Sequence, residues 1–257
     1  MRAKKRFGQN FLINPFLLDF ITQTAASFEG DVLIEIGGGT GNLTKRLAAL
    51  PFSDFVVVEI DRELIPLLKD SAPKACIIQG NILDIPLNFG HKQVIAGNLP
   101  YYITKPILNH ILHYRENVTG GVFMVQKEVA EAITAPVGAE NYNAYSVFLR
   151  LFARIKVLKH VKKGEFRPVP GVDSSLIRID IHDQKEMFDK ERITDIIFRA
   201  FRERRKTLVN NLKKEFDRER VEGFLRSLGN SEDARAQELT PEEFRLLLYE
   251  LKEGETT

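Results

Sequence analysis

Residues 32–61, VLIEIGGGTGNLTKRLAALPFSDFVVVEID, constrain this chain more than any other stretch. An apolar run from Val32 to Ile36 predicts a buried strand. It feeds a glycine cluster, Gly37, Gly38, Gly39 and Gly41. A helical stretch follows over Leu43–Leu50, and a second apolar run, Phe55–Val58, ends in Glu59 and Asp61. Strand, glycine turn, helix, strand and acid form the nucleotide-binding half of a doubly wound sheet. Glycines let a ligand approach the backbone and permit φ > 0. An acid about 20 residues past the turn can accept hydrogen bonds from ribose hydroxyls.

The glycine spacing narrows the ligand. A dinucleotide turn is G-x-G-x-x-G, and Asn42 occupies the last of those slots. The pattern present, Glu35-x-Gly37-x-Gly39-x-Gly41, resembles motif I of S-adenosylmethionine (SAM) methyltransferases. Strand signals continue at Ala75–Gln79, Val94–Ala96, Gly121–Val125, Ile155–Val161 and Leu176–Ile181, with helical segments between most of them. That alternation predicts an α/β fold, a Rossmann-like, seven-stranded, mostly parallel sheet. Beyond about residue 185 the strand signal stops. Ile193–Phe201, Leu208–Phe216, Val221–Leu228 and Phe244–Leu251 carry helical periodicity. The expected division is a catalytic domain, residues 1–184, and a small helical domain, residues 185–257.

Composition excludes several classes. Hydrophobic residues at 44% and charged residues at 28% are ordinary for a globular chain. No apolar run approaches the ~20 residues that span a bilayer. The basic N-terminus lacks the apolar core of a secretory signal. The single cysteine, Cys76, cannot form an internal disulfide and is expected to be a buried thiol, which points to the reducing cytoplasm. The five histidines show no metal spacing, so no metal is expected. Nothing suggests an obligate dimer, and a monomer is expected.

Net charge is only +2, but it is segregated. Residues 1–6, 154–167 and 199–214 hold 17 of the 37 Lys and Arg, against two acids, Glu165 and Glu203. The remainder carries 20 cations and 33 acids. Cationic stretches on an otherwise acidic chain point to a polyanion.

Asn98-Leu99-Pro100-Tyr101 ends the fourth predicted strand, at the sheet edge that faces ligand in open α/β folds. Such a tetrapeptide suits methyl transfer to the exocyclic amine of a base. The adenine N6 lone pair is delocalised into the ring and is a poor nucleophile. Acceptors on its two N–H protons favour a tetrahedral nitrogen whose lone pair points at the methyl. Asn98 offers a side-chain oxygen, and Leu99 or Pro100 a carbonyl. Pro100 stiffens the backbone, and Tyr101 can stack on the base, worth ~1–3 kcal/mol.

Seven stretches in order resemble the bacterial ribosomal RNA adenine N6,N6-dimethyltransferase (KsgA) family. They are Phe7–Leu12, Glu35–Thr44, Val58–Asp61, Asn98–Tyr102, Gln126–Val129, the proline-rich Phe166–Ser174, and Arg204–Leu208 with Asn210 or Asn211. The resemblance implies SAM contacts at Asn10, Leu12, Gly37, Gly39, Glu59, Asn81 and Asn98. It implies that Tyr101 and Phe166 sandwich the target adenine. It also implies a substrate: two adjacent adenines in a hairpin loop near the 3′ end of 16S rRNA, each methylated twice on the small ribosomal subunit. Lys4, Lys5 and Arg6 would then border the pocket, and Arg202, Arg204, Arg205 and Lys206 would contact phosphates. This chain departs at Asn81, where the family usually has Asp; an amide oxygen still accepts a hydrogen bond. The competing readings are a large-subunit rRNA methyltransferase, a DNA adenine methyltransferase, a small-molecule methyltransferase, a NAD dehydrogenase and a non-catalytic assembly factor. The dehydrogenase is disfavoured by Asn42, the small-molecule enzyme by the clustered cations.

Overall fold

The computed structural model describes residues 4, 7–90, 92–182 and 189–252. The strands are β1 Phe11–Leu12, β2 Val32–Ile36, β3 Asp54–Glu59, β4 Cys76–Gln79, β5 Gln93–Asn98, β6 Val118–Gln126, β7 Ala153–Val161, β8 Phe166–Arg167 and β9 Ser174–Ile181. The helices are α1 Pro15–Ala26, α2 Thr44–Leu47, α3 Ile65–Ser71, α4 Thr104–His113, α5 Lys127–Ile133, α6 Ala144–Phe152, α7 Lys190–Ala200, α8 Leu208–Leu212, α9 Arg218–Ser227 and α10 Pro241–Lys252. Seven strands form one sheet in the order β4-β3-β2-β5-β6-β9-β7, and β1 pairs with β8 in a separate antiparallel ribbon. β2 through β6 run parallel, and β9 runs antiparallel to β6. The expected sheet is therefore observed, with α2 shorter than the predicted helix.

The topology places the site. From β2 the chain winds outward through β3 and β4, then returns to pair β5 on the other side of β2. Ligand crevices form where winding reverses, outside the carboxyl ends of the strands. Register aligns those ends: Ile36 lies beside Val58 and Gly97, and Glu59 beside Gln79. The next residues along, Gly37, Gly80 and Asn98, thus share one edge with Glu59.

The chain divides into two compact units. The first, residues 4–130 and 154–182, holds the sheet, and Leu18, Ile21, Leu33, Val94, Val122 and Met124 are buried together between α1, α2 and one sheet face. Asn14 caps α1, its side-chain oxygen accepting from the Phe16 and Leu17 N–H groups. Cys76 is exposed, contrary to the buried thiol expected from its apolar neighbours. β4 is the edge strand, so its residues are covered from fewer sides.

The second unit joins residues 131–153 to the helices after residue 188. The expected boundary between 184 and 185 falls outside the described residues, and residues 131–153 move from the expected catalytic domain to the helical unit. The cause is burial. Tyr142, Ala144 and Val147 pack with Ile196, Ile197, Leu208, Phe244 and Leu248 in one apolar core. The fully buried Tyr142 hydroxyl donates to the Leu239 carbonyl at 2.9 Å. α10 begins with a capping box: the Thr240 hydroxyl accepts from Glu243 N–H, and the Glu243 carboxylate accepts from Thr240 N–H. Gly229, at φ 73°, closes α9 as a left-handed cap, with Asn230 N–H donating to the Leu225 carbonyl.

Candidate active site

A cleft enclosing about 730 Å³, counted out to open solvent, lies at the carboxyl ends of β2, β3 and β5. Gly37 and Gly39 line it at φ 77° and 58°, conformations that side chains rarely adopt. A Cβ at Gly39 would also meet the Phe11 ring at 3.0 Å. The turn is held to the next strand by its own backbone. Gly37 N–H donates to the Val58 carbonyl at 2.8 Å, and Gly39 N–H to Glu59 Oε2 at 2.9 Å.

Glu59 ends β3 inside the cleft. Its Oε1 accepts from Asp61 N–H at 2.8 Å. Burial raises its pKa, and the backbone N–H donors pull against that rise. Each carboxylate oxygen keeps a further lone pair, so a diol can still be received. Asn81 lines the same cleft and caps a short 3-10 turn, its Oδ1 accepting from Leu83 N–H at 3.2 Å.

Asn98 carries the most telling feature. Its Nδ2 donates to the Asn10 carbonyl at 2.6 Å. That bond fixes the amide's orientation and leaves Oδ1 buried with no hydrogen-bond partner. Buried acceptors are rarely left so. Beside it, Pro100 O already accepts from Ile103 N–H and the Thr104 hydroxyl, both at 3.2 Å. Tyr101 lines the cleft, and its hydroxyl lies 2.5 Å from the Ser174 hydroxyl on β9, which fixes the ring.

Residues 7–11 form one wall, a strap tied at three places. Gln9 Nε2 donates to Asp61 Oδ2 at 2.9 Å, Asn10 O receives Asn98, and β1 pairs with β8. Lys4 completes the clamp, with Nζ at 2.7 Å from Asp61 and 2.9 Å from Glu63. The bond to Asp61 raises the Lys4 pKa. Burial opposes ionisation of Asp61, but Lys4, Gln9 and the Glu63 N–H outweigh it and hold the carboxyl below its usual range. Sequence reading did not assign this clamp, nor the lining roles of Phe11 and Tyr102.

Most of the expected cofactor residues, Asn10, Gly37, Gly39, Glu59, Asn81 and Asn98, thus share one cleft with Leu99, Pro100 and Tyr101. Two expected residues lie elsewhere. Leu12 turns into the core and lines a smaller cavity of about 380 Å³ beneath the glycine turn. Phe166 is 0% exposed, packs in the same apolar core and does not line the cleft. β8 pairing with β1 sets Phe166 opposite Leu12, and the ring is taken up by the interior.

The expected RNA contacts change as well. Lys5 and Arg6 lie outside the described residues, and Lys4 is committed to Asp61 and Glu63. In the helical unit, Arg204 donates to the carbonyls of Tyr142 at 2.5 Å and Ala139 at 2.9 Å. Asn211 is buried and donates to the carbonyls of Ala200 and Glu203, fastening the end of α7. Arg202 shares Glu215 with Arg199, and Lys206 pairs with Glu203. Arg205 is exposed and free of such bonds among the described residues. Arg204→Ala should therefore lower stability, by about 1–3 kcal/mol for charge-assisted bonds to carbonyls. Arg205→Ala should leave stability unchanged and flatten the salt dependence of RNA binding by ~0.7–0.9 in log–log slope per phosphate. Denaturant melts and filter binding across a salt series separate the two. Loss of stability in Arg205→Ala, or none in Arg204→Ala, would reverse the assignment.

A glycine turn whose N–H is held by an acid on the next strand, with an orphaned amide oxygen at a topological switch point, defines a Rossmann-like methyltransferase. The chain belongs to the ribosomal RNA adenine dimethylase family, whose model matches residues 1–253. It is 38% identical over 220 residues to "Ribosomal RNA small subunit methyltransferase A" of Acidithiobacillus ferrooxidans, covering 82% of each chain. Its namesake from Mycoplasma mobile is 35% identical, over 96% of this chain and 98% of its own. A dimethyladenosine transferase from Plasmodium falciparum superposes with a TM-score of 0.84 at 25% identity, over 95% and 98% of the two chains. The 23S rRNA methyltransferase ErmE shares the fold, with a TM-score of 0.78 at 23% identity over 95% of this chain and 100% of its own. The chain is thus an rRNA adenine dimethyltransferase, and its methyl donor is SAM. The cleft suits that donor, since left-handed glycines leave room at the turn and a carboxylate, Glu59, lines the cleft beside them. Glu59→Ala should remove charge-assisted bonds worth ~1.5–3 kcal/mol and weaken SAM roughly 10–100-fold. Calorimetric titration checks this, and unchanged affinity sinks the role. Among the described residues there is no metal-ligand cluster and no helix long and apolar enough to cross a membrane.

Proposed function

We propose that this chain dimethylates N6 of two adjacent adenines in a hairpin loop near the 3′ end of small-subunit rRNA, during subunit assembly. It would act in the cytoplasm as a monomer. The observation that carries the reading is the orphaned Asn98 Oδ1, an acceptor aligned by Asn10 with nothing yet to accept from.

When bound, SAM supplies an electrophilic methyl on its sulfonium. Glu59 and the Gly37–Gly39 turn hold the nucleoside part, with Asn81 accepting from the cofactor's adenine amine. Asn98 Oδ1 accepts one N–H of the target amine. The Pro100 carbonyl is already engaged twice, so the Leu99 carbonyl is the second acceptor. The Tyr101 face stacks on the base. Unstacked loop bases reach such a pocket at small cost. Arg205, with Arg202 and Lys206 beside it, contacts RNA phosphates.

The large-subunit alternative shares the fold with ErmE, so fold does not separate the two. The small-subunit name of relatives at 35–38% identity favours the reading above. The test offers labelled SAM with unmodified small subunits, large subunits and short hairpins, then maps the methylated nucleotides. Dimethyladenine in the small subunit alone is expected; label confined to the large subunit overturns the substrate.

A further inference from the structure

One cationic stretch, residues 154–167, takes no part in the site above. In the fold it forms β7, a sheet-edge strand, and the turn into β8. This turn is fastened to the start of α1. Ile13 N–H donates to the Glu165 carbonyl at 3.0 Å, and Asn14 Nδ2 to the Glu165 carboxylate at 2.7 Å. The same Asn14 side chain accepts from Phe16 N–H at 2.9 Å. Phe16 is 81% exposed, the highest value among the exposed large hydrophobics of the described residues. A bare phenyl ring in water has no structural use here, since α1 buries Leu17, Leu18 and Ile21 instead.

Cations lie along this side of α1, near Phe20 and on the turn fastened to Asn14. Phe20 lies one helical turn on from Phe16, on the same side of α1. Lys159 Nζ sits 5.6 Å from the Phe20 ring. Lys163 is exposed on the turn, and neither Lys159 nor Lys163 has a carboxylate partner among the described residues. The neighbouring acids are already held: Glu165 by Asn14, Asp173 by Lys162, and Asp19 by Arg46. The strand that follows this turn, β8, meets the cleft wall, because its Arg167 pairs in register with Phe11, which lines the cleft.

We propose that Phe16, Lys159 and Lys163 form an RNA-binding face on the catalytic unit, in which Phe16 stacks on an unpaired base and the lysines hold flanking phosphates. An exposed aromatic among unpaired cations is the arrangement that receives single-stranded nucleic acid. The proposal rests on the rRNA reading and deepens it. The face grips the strand beside the adenine that enters the cleft.

The test uses the full chain, unmodified small subunits and a short RNA hairpin with an adenine-rich loop. The variants are Phe16→Ala and the pair Lys159→Gln with Lys163→Gln. All three positions lie outside the cofactor cleft, so SAM affinity by calorimetry should stay at the wild-type value and reports intact folding. Phe16→Ala should weaken RNA binding about tenfold with the salt slope unchanged. The lysine pair should lower the log–log salt slope by roughly 1.4, about 0.7 for each single-strand phosphate contact. In turnover, both should raise KM for RNA and leave kcat alone. Wild-type affinity and slope in all variants overturn the proposal. So does a loss in the lysine pair without a slope change, which would mark a protein contact. A wild type that methylates no RNA sinks the functional reading and this face with it, whereas normal wild-type methylation with indifferent variants sinks this face alone.

Discussion

Asn98→Ala should transfer methyl groups ~10²–10³ times more slowly than wild type in single-turnover assays at saturating SAM, equivalent to ~2.7–4 kcal/mol. The magnitude follows single preorganised groups that act on charge developing in a transition state. The Asn98 oxygen is held ready by its Nδ2 bond to Asn10, and reorganisation costs nothing at the moment of reaction. Its use grows as the amine becomes tetrahedral, so its loss falls on the chemical step and not on substrate binding. A second signature separates this from general damage. After one transfer the amine has a single N–H left, which must go to the right acceptor. A partly active Asn98 variant should therefore accumulate monomethyladenine. Single-turnover assays with nucleoside analysis read both effects. Dimethylation at the wild-type rate would remove Asn98 from the chemistry, as would slowing that leaves the monomethyl fraction unchanged.

Much of this site is legible in the sequence because its signals are local. Glycine spacing, the apolar strand before it and the acid ending the next strand all lie within residues 32–61. Parallel register then brings Asn98 beside Gly37 with no further information. What the sequence hides depends on distant pairing. Whether Phe166 faces a base or the core is decided by β8 meeting β1, about 150 residues away in the chain. Lys4 looks like a free cation until Asp61, 57 residues on, takes it. Arg204 reads as a phosphate ligand because cationic runs usually are solvated. Its use as a clamp on the carbonyls of Ala139 and Tyr142 requires residues 131–153 to fold with the later helices. A helix pattern at Ala144–Phe152 shows that a helix forms and not which core receives it. Cys76 fails for the same reason: an apolar run predicts a strand but not its place at the sheet edge.

Glu35→Gln should make the protein more stable above about pH 5 and flatten its pH dependence. Glu35 opens motif I, is only 1% exposed, and its Oε2 has no hydrogen-bond partner. Burial is the main force raising its pKa, to about 8, with a hydrogen bond to Thr44 pulling down and the nearby Glu59 charge pushing up. The folded protein therefore keeps Glu35 protonated at neutral pH, while the unfolded chain ionises it near its ordinary value of 4.5. Between those values the folded state binds more protons, so stability falls as pH rises. Below the unfolded pKa the group costs nothing; above the folded pKa the loss levels off. A shift from 4.5 to about 8 corresponds to a loss of up to about 5 kcal/mol. From pH 5 to pH 8 the loss is about 3 kcal/mol by the same linkage. Glutamine keeps the shape and neutrality of the protonated acid and has no proton to lose. Urea melts of wild type and Glu35→Gln at several pH values measure the difference. Other titrating groups, Glu59 included, are common to both proteins and cancel to first order. The two curves should nearly meet at pH 5 and separate progressively toward pH 8. Parallel curves across that window would mean that Glu35 is ionised in the fold, and that some cation neutralises it beneath the glycine turn.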